Sequence, residues 1–286
     1  MQAHEPKVRF GPAGIPIACN GGSLEGVTCT HELGLRAMEL EFVRGANMGL
    51  ELAQKIGRKA KELDVKLSAH APYYINLLSE KPETRKASIE RILQTARIVH
   101  TAGGGRIAYH AAYYGKLPPE QALKELKESH QQILEKMKKE KITSAILAPE
   151  TSGGQAEWGE LNELLELCGE FDLKRINPTL DFSHLHGRPG KGWLYKKENY
   201  QTIFNKVEKA LGKKAVESFH SHFQSLAFGA RGELHHLTID QNEPPFQPLA
   251  ELLAEQGYSG TIISESPNIE TDALKMQRAY TRLLKH

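Results

Sequence analysis

Short apolar, β-rich runs alternate with long helical patterns from end to end of this 286-residue chain, and few folds accommodate that rhythm. The candidate strands are KVRFGPA (7–13), AMELEF (37–42), KLSAHAP (66–72), RIAYH (106–110), SAILAPE (144–150), NPTLDFS (177–183), ESFHSHF (217–223) and TIISES (261–266). Between them, segments such as GLELAQKIGRKAKEL, RKASIERILQTARIVH and PEQALKELKESHQQILEKMKKE repeat apolar residues every three and four positions. Lys, Glu and Gln fill the opposite face, as in helices that pack on one side. Pro118 and Pro119 open one of these helices, and Gly212 and Gly257 close two others. Eight strand–helix units without a Gly/Ser- or Pro-rich gap predict an α/β protein, a single (β/α)8 TIM barrel spanning residues 1–286 as one domain. An open doubly wound sheet is the competitor. No G-x-G-x-x-G follows the first strand, so a dinucleotide-binding sheet gets little support.

Composition narrows the function classes. Hydrophobic residues make up 40% of the chain, charges of both signs are interspersed, and the formal net charge is only +2. A general polycation is excluded, so any contact with nucleic acid must come from a local basic face. Cys19, Cys29 and Cys168 are odd in number and lack C-x-x-C spacing. Neither a disulfide framework nor a cysteine-rich zinc finger is expected, and a reducing cytoplasm fits best. No apolar run nears the roughly 20 residues that span a bilayer. The first ten residues, MQAHEPKVRF, lack the apolar stretch of a signal peptide. A cytoplasmic protein without a membrane partner is expected, and a monomer is the simplest state; no protein partner can be inferred.

Chemistry concentrates where the predicted strands end. The third ends at His70, the fourth at His110 and the fifth at Glu150; the sixth brings Asp181 with His184 just beyond. The seventh carries His220 and His222, the eighth ends at Glu265, and the loop after the seventh reads GELHHL, with Glu233, His235 and His236. His70, His110 and Glu150 are each 40 residues apart, close to one strand–helix repeat, so they land at equivalent heights on one rim. The C-terminal rim is where barrel enzymes place their chemistry. A lone histidine in a strand is ordinarily a hydrogen-bonded core residue, and an acid at a strand end ordinarily caps the next helix, as Glu265 before Ser266-Pro267 could do. His100 and His130, inside helical patterns, are expected at the surface. But, with His186 beside His184, eight of the thirteen histidines fall at strand ends or in that one loop, and separate structural reasons for all of them are hard to sustain. Imidazole and carboxylate without thiolate suit zinc or manganese, and carboxylates can bridge two ions. A multinuclear metal site is expected.

At these residues the sequence resembles endonuclease IV, the metal-dependent abasic-site endonuclease family, and its shorter archaeal-type members above all. The resemblance rests on FGPAGIP (10–16), HAPYYINL (70–77), YHAAYYG (109–115), PETSGG (149–154), DFSHLHGR (181–188), HFQS (222–225), GELHHL (232–237) and SESPNIETDAL (264–274), which together run nearly the length of the chain. It implies a barrel with three zinc ions in a rim cleft; for this chain two or three zinc ions are expected, manganese being possible in their place. His70 and His110 would hold one ion, bridged by Glu150 to a second that Asp181, His222 and Glu265 complete. A third would take His184, Glu233 and one histidine of the pair His235 and His236, the spacing in shorter members favouring His236. Glu150 and Glu265 would serve catalysis as well as ligation. His186 and His220 are not expected as ligands; His220, on one strand face with His222, is expected to orient a ligand or else simply to line the barrel lumen, the first being favoured. Three segments depart from the commoner family pattern: His110-Ala111-Ala112 replaces His-Pro-Gly, Glu233-Leu234-His235-His236 replaces Asp-x-His, and Gln224-Ser225 replaces Asn-Asp.

The implied activity is hydrolysis of damaged double-stranded DNA on the 5′ side of an abasic site, leaving a 3′-hydroxyl and a 5′-deoxyribose phosphate. Tyr73, three residues beyond His70, is expected to pack against sugar or bases. Arg44, Lys116, Arg188, Lys191 and Arg231 are expected phosphate partners, or else solvated surface charges. Two other readings compete: a metal-dependent sugar isomerase or epimerase on the same barrel, which needs fewer ions, and a binding barrel that keeps metal for stability alone.

Overall fold

The computed structural model describes residues 7–284. Eight parallel strands form at the predicted places: β1 (Val8–Pro12), β2 (Ala37–Glu41), β3 (Lys66–His70), β4 (Gly105–Tyr109), β5 (Ala145–Pro149), β6 (Thr179–Asp181), β7 (Phe219–His222) and β8 (Gly260–Ser264). They pair in two runs, β2–β3–β4–β5 and β1–β8–β7–β6. Single bridges, Ala13 to Glu39 at one seam and Leu147 to Ile176 and Glu150 to Thr179 at the other, close the two runs into a barrel. Closure leaves no free sheet edge. β6 is shorter than its apolar run because a six-residue helix, Phe182–Gly187, begins directly after Asp181.

Eight helices surround the strands: α1 (Ser23–Glu32), α2 (Leu50–Glu62), α3 (Pro82–Thr101), α4 (Pro119–Lys139), α5 (Leu161–Gly169), α6 (Lys197–Leu211), α7 (Gln247–Gln256) and α8 (Ile269–Leu283). Pro118 caps α4, and Gly212 and Gly257 end α6 and α7 with φ of 81° and 62°, where a β-carbon would be strained. The apolar stripe of each helix packs outward-facing strand residues. One core lies around β2–β5 with α2–α4, and the other around β1 and β6–β8 with α6–α8.

Two expectations are corrected here. His130 is not at the surface: it is fully buried on α4, in the stripe Ala122, Leu126, His130, Ile133 and Met137. Its Nδ1 donates to the Leu126 carbonyl at 2.7 Å, and the Tyr109 hydroxyl donates to its Nε2 at 2.8 Å. Burial drives the pKa of this neutral ring down to about 4. His100, by contrast, is half-buried, with Nδ1 2.7 Å from the Ser144 hydroxyl. The second correction concerns the cysteines. Cys19 and Cys29 form a disulfide, their Cα atoms 6.2 Å apart, because the chain leaving β1 doubles back onto α1. Cys168 stays buried and free. The cysteines therefore no longer argue for a reducing compartment. No helix among the described residues is long and apolar enough to cross a membrane.

Candidate metal centre

Strand ends deliver most of the site. His70 closes β3, His110 follows β4, Glu150 follows β5, Asp181 closes β6, His222 closes β7 and Glu265 follows β8. Parallel strands in a closed barrel bring these ends to one rim, so residues up to 195 positions apart become neighbours. His184 comes from the first turn of the short helix after β6, whose N-terminus Asp181 caps by accepting the His184 amide at 2.6 Å.

The remaining groups arrive on a feature that the strand–helix rhythm does not announce. After β7 the chain forms an antiparallel hairpin, Ser225–Gly229 with Gly232–Leu237. It folds against the loop after β5, where the Glu233 amide donates to the Gly153 carbonyl at 3.1 Å. A β-carbon at Gly153 would overlap Glu233 Oε2 and crowd His184 Cδ2 at 3.0 Å, so this close approach needs glycine. Glu233 thereby reaches His184 Nε2 at 3.1 Å and His236 Nε2 at 3.2 Å. His235, the neighbour on the hairpin, points to the opposite face and is exposed, away from this group.

Glu150 lies at the centre, fully buried. Its Oε2 faces His70 Nε2 at 3.3 Å and His110 Nε2 at 3.9 Å; its Oε1 faces His222 Nδ1 at 3.1 Å and His184 Nδ1 at 3.3 Å. Glu265 Oε1 approaches His222 Nδ1 at 3.4 Å. Five groups of donors are each drawn within 4.8 Å. Three of them combine the strand-end and hairpin residues, His70–His110–Glu150, Glu150–Asp181–His222–Glu265 and His184–Glu233–His236, and two others contain Glu39, Glu39–His220–His222 and Glu39–Glu41–Glu265. Backbone carbonyls orient three rings: His70 Nδ1 donates to Ala71 at 2.8 Å, His184 Nδ1 to Thr151 at 2.9 Å and His236 Nδ1 to Glu265 at 3.0 Å. His110 Nδ1 meets the Ser152 hydroxyl at 3.1 Å. These bonds leave Nε2 free on all four rings.

The electrostatics call for cations. Among the described residues, no lysine or arginine pairs with Glu39, Glu150, Asp181, Glu233 or Glu265; their charged neighbours are imidazoles. Burial by itself would raise the Glu150 carboxyl, but His222, His110 and His184 hold it well below the usual carboxylate range. Glu233 is likewise held low, by His184 and His236 against burial. The rings respond in the opposite direction. Burial disfavours charge on His70, yet Glu150, Glu41 and Glu265 lift its pKa to about 10, and His236 rises to about 9 against burial through Glu233 and Glu265. His184 and His222 are raised well above 6.5 in the same way. Protons sit where divalent ions would offset the same carboxylates. Donor spacing is compatible: two ligands on a tetrahedral ion with bonds of 2.0–2.1 Å lie about 3.3 Å apart, and five donor pairs lie at 3.1–3.4 Å, with His110 and Glu150 wider at 3.9 Å.

A cleft of about 440 Å³ opens over the three groups, with Tyr73, Tyr113 and Leu234 exposed on its walls and His110, His184, Glu233, His236 and Glu265 on its floor. The Tyr73 ring lies 5.2 Å from that of His70. Arg44, Lys116, Lys191 and Arg231 are exposed on the loops and the hairpin turn of the same rim. Arg188 requires correction as a phosphate partner: its guanidinium donates to the carbonyls of Ser152 at 3.0 Å, Glu157 at 2.8 Å and Gly154. It is spent on shaping the loop after β5. His186 is buried outside the centre, paired with Glu243 and accepting the Leu194 amide at 3.0 Å. Glu265 caps no helix; Asn268 precedes α8. Gln224 donates to Asp181 Oδ2 at 2.8 Å and so holds that carboxylate in place.

Glu39 and Glu41 were missed by the reading of strand ends. Both lie within β2, and Glu39 reaches His220 and His222 while Glu41 stands near Glu265. Burial lifts the Glu41 carboxyl to about 8; His70 opposes this, and Glu39 and Glu265 add to it. The signal was present in AMELEF, where two acids alternate inside an apolar run and must share one face.

Residues 28–284 match the family described as a xylose isomerase-like TIM barrel. The chain is 35% identical to an uncharacterized protein of Methanocaldococcus jannaschii over 274 residues, 96% of this chain and 97% of that one. It is 23% identical to a probable endonuclease 4 of Aquifex aeolicus over 186 residues, 65% of this chain and 64% of the other. Among solved structures it is similar to endonuclease IV from Thermus thermophilus (TM-score 0.70, 18% identity, covering 98% and 99% of the two chains). It is equally similar to a D-tagatose 3-epimerase-like protein (TM-score 0.71, 19% identity, 97% of each chain).

Proposed function

The chain belongs to the xylose isomerase-like TIM-barrel family, and from that membership and the donor groups on its rim we propose that it is a DNA-repair nuclease. In this reading it hydrolyses the phosphodiester 5′ to abasic sites in duplex DNA with two or three zinc ions. One observation carries it: the third donor group, His184–Glu233–His236, built beside the pair that Glu150 joins. Phosphodiester hydrolysis concentrates negative charge on several oxygens at once, and a third cation offsets it. Proton transfer at a sugar carbon has no use for one.

Zinc, when bound, supplies Lewis acidity and positive charge at neutral pH. The chain's own residues do the rest. Glu150, with one oxygen in each of two donor groups, sets the distance between them. Glu265 lies at the cleft floor within reach of both substrate and centre. Tyr73, Tyr113 and Leu234 offer apolar walls to a sugar turned out of the helix. An abasic nucleotide has no stacking to lose, so extruding it costs less than extruding a paired one. Arg44, Lys116, Lys191 and Arg231 stand where the flanking phosphates would pass, and affinity should fall as salt rises.

The test is a nicking assay on duplex DNA containing one tetrahydrofuran abasic analogue, which has no aldehyde. A strand cut with a 3′-hydroxyl that a polymerase extends is expected, because no lysine among the described residues lines the cleft to form the Schiff base of a lyase. An uncut analogue, or a borohydride-trapped protein–DNA adduct, refutes the hydrolytic reading. The second reading is a sugar epimerase. Glu150, Asp181, His222 and Glu265 alone would hold one ion, two of the four ligands being glutamates, which suffices for moving a proton at a ketose carbon. Epimerisation of a free ketose together with inert abasic DNA would establish that alternative.

A further inference from the structure

We infer that Glu39, which belongs to none of the three donor groups, is a positioning residue that turns the His222 ring so that Nδ1 faces Glu150 and Glu265. The inference rests on the reading of the rim as a metal centre.

His222 is the exception among the rings at the rim. His70, His184 and His236 anchor Nδ1 on backbone carbonyls and present Nε2. His222 presents Nδ1, 3.1 Å from Glu150 and 3.4 Å from Glu265, and its Nε2 points away into the barrel. There Glu39 Oε1 waits at 2.8 Å. The contact is an ion-pair approach that falls outside hydrogen-bond geometry, and both buried atoms are without a hydrogen-bond partner among the described residues, each the nearest opposite charge to the other. The other oxygen, Oε2, meets His220 Nε2 at 3.0 Å. Glu39, His220 and His222 are all buried. β2 and β7 are separated by β1 and β8, so the carboxylate spans the barrel lumen. Glu39, His220 and His222 also lie close enough to form a donor group of their own, but the 2.8 Å from Glu39 Oε1 to His222 Nε2 is shorter than the roughly 3.3 Å between two ligands of one tetrahedral ion. A carboxylate behind a metal-binding imidazole fixes its tautomer and orientation, and its loss costs about 10–100-fold in metal affinity.

Only a carboxylate can accept from both rings. An amide has one oxygen, and its NH2 would oppose the N–H of the other ring. Zinc titration of the metal-free protein against a chromogenic chelator, for wild type, Glu39→Gln and the double variant Glu39→Gln/His220→Ala, tests this without any activity. Glu39→Gln should bind one ion about 10–100-fold more weakly. The double variant should move back towards wild type, because the amide oxygen is then free for His222. Unchanged affinity in Glu39→Gln, or no recovery in the double variant, overturns the inference. A wild type that binds no zinc would instead remove the metal reading beneath it. Nitrogen NMR of histidine-labelled, zinc-loaded wild type covers the case of a variant that does not fold. A His222 signal protonated on Nε2 is expected, and one protonated on Nδ1 overturns the inference.

Discussion

Acidification should strip the ion of the His184–Glu233–His236 group before the others. In the metal-free protein His236 titrates at about 9, and His184 is raised well above its ordinary value. Near neutral pH both rings therefore carry protons that zinc must displace. The sign follows: a raised pKa in the free site means that affinity climbs with pH up to about 9 and falls as pH drops below it. Two displaced protons make the fall about a hundredfold per pH unit, or about 2.7 kcal/mol. In the His70–His110–Glu150 group His70 is raised to about 10, and displacement of its proton contributes about tenfold per pH unit to the loss of that ion. Zinc titrations between pH 6 and 8, with calorimetry in buffers of different ionisation enthalpy to count released protons, measure both slopes. His236→Ala should delete the steep component and leave the shallow one. A weakest ion whose affinity changes less than tenfold per pH unit, or a steep component that survives His236→Ala, would refute the assignment of protons to these rings.

Glu150→Gln keeps the shape of the side chain but removes the charge shared by two donor groups; zinc content should drop and cleavage should fall on the order of a thousandfold, with circular dichroism unchanged. Near-normal turnover would show that Glu150 does not bridge. His236→Ala should lose one zinc and most cleavage, whereas His235→Ala, on the exposed face of the hairpin, should keep both; metal analysis and nicking assays that reverse this order would move the third site to His235. His130, whose folded pKa is lowered to about 4 from 6.5, stays neutral while the unfolded chain takes up a proton. Folding stability should consequently fall as pH drops through 6.5 towards 4, by about 2 kcal/mol at pH 5. Urea unfolding of metal-free wild type and His130→Gln should show this loss in the wild type alone, and parallel pH profiles would contradict it.

Much of this was legible in the residue order. Alternating apolar runs of period two and period 3.6 define strands and helices locally, and eight repeats leave the closed barrel as the economical way to bury both faces of each strand. Because parallel strands all point one way, a polar residue at a strand end can be assigned to the rim without coordinates, which is how His70, His110, Glu150, Asp181, His222 and Glu265 could be read as one site. What lies across the barrel could not be read. Glu39 meets His220 and His222 only because closure brings non-adjacent strands face to face. The choice of His236 over His235 depends on which side of the hairpin packs on Gly153, and a one-residue shift of register would reverse it. Arg188 looked like a free charge until the loop after β5 closed around it. His130 lay in a periodic helix whose buried stripe could have been counted, but whether a polar residue in such a stripe is tolerated depends on a partner from another element, here the Tyr109 hydroxyl. Local pattern determines elements and the end of the barrel at which a residue stands, because both follow from backbone geometry over a few residues. Which nitrogen of a ring faces the centre, and which charge stands behind it, are set by contacts between residues about 180 positions apart, and only the packed barrel decides them.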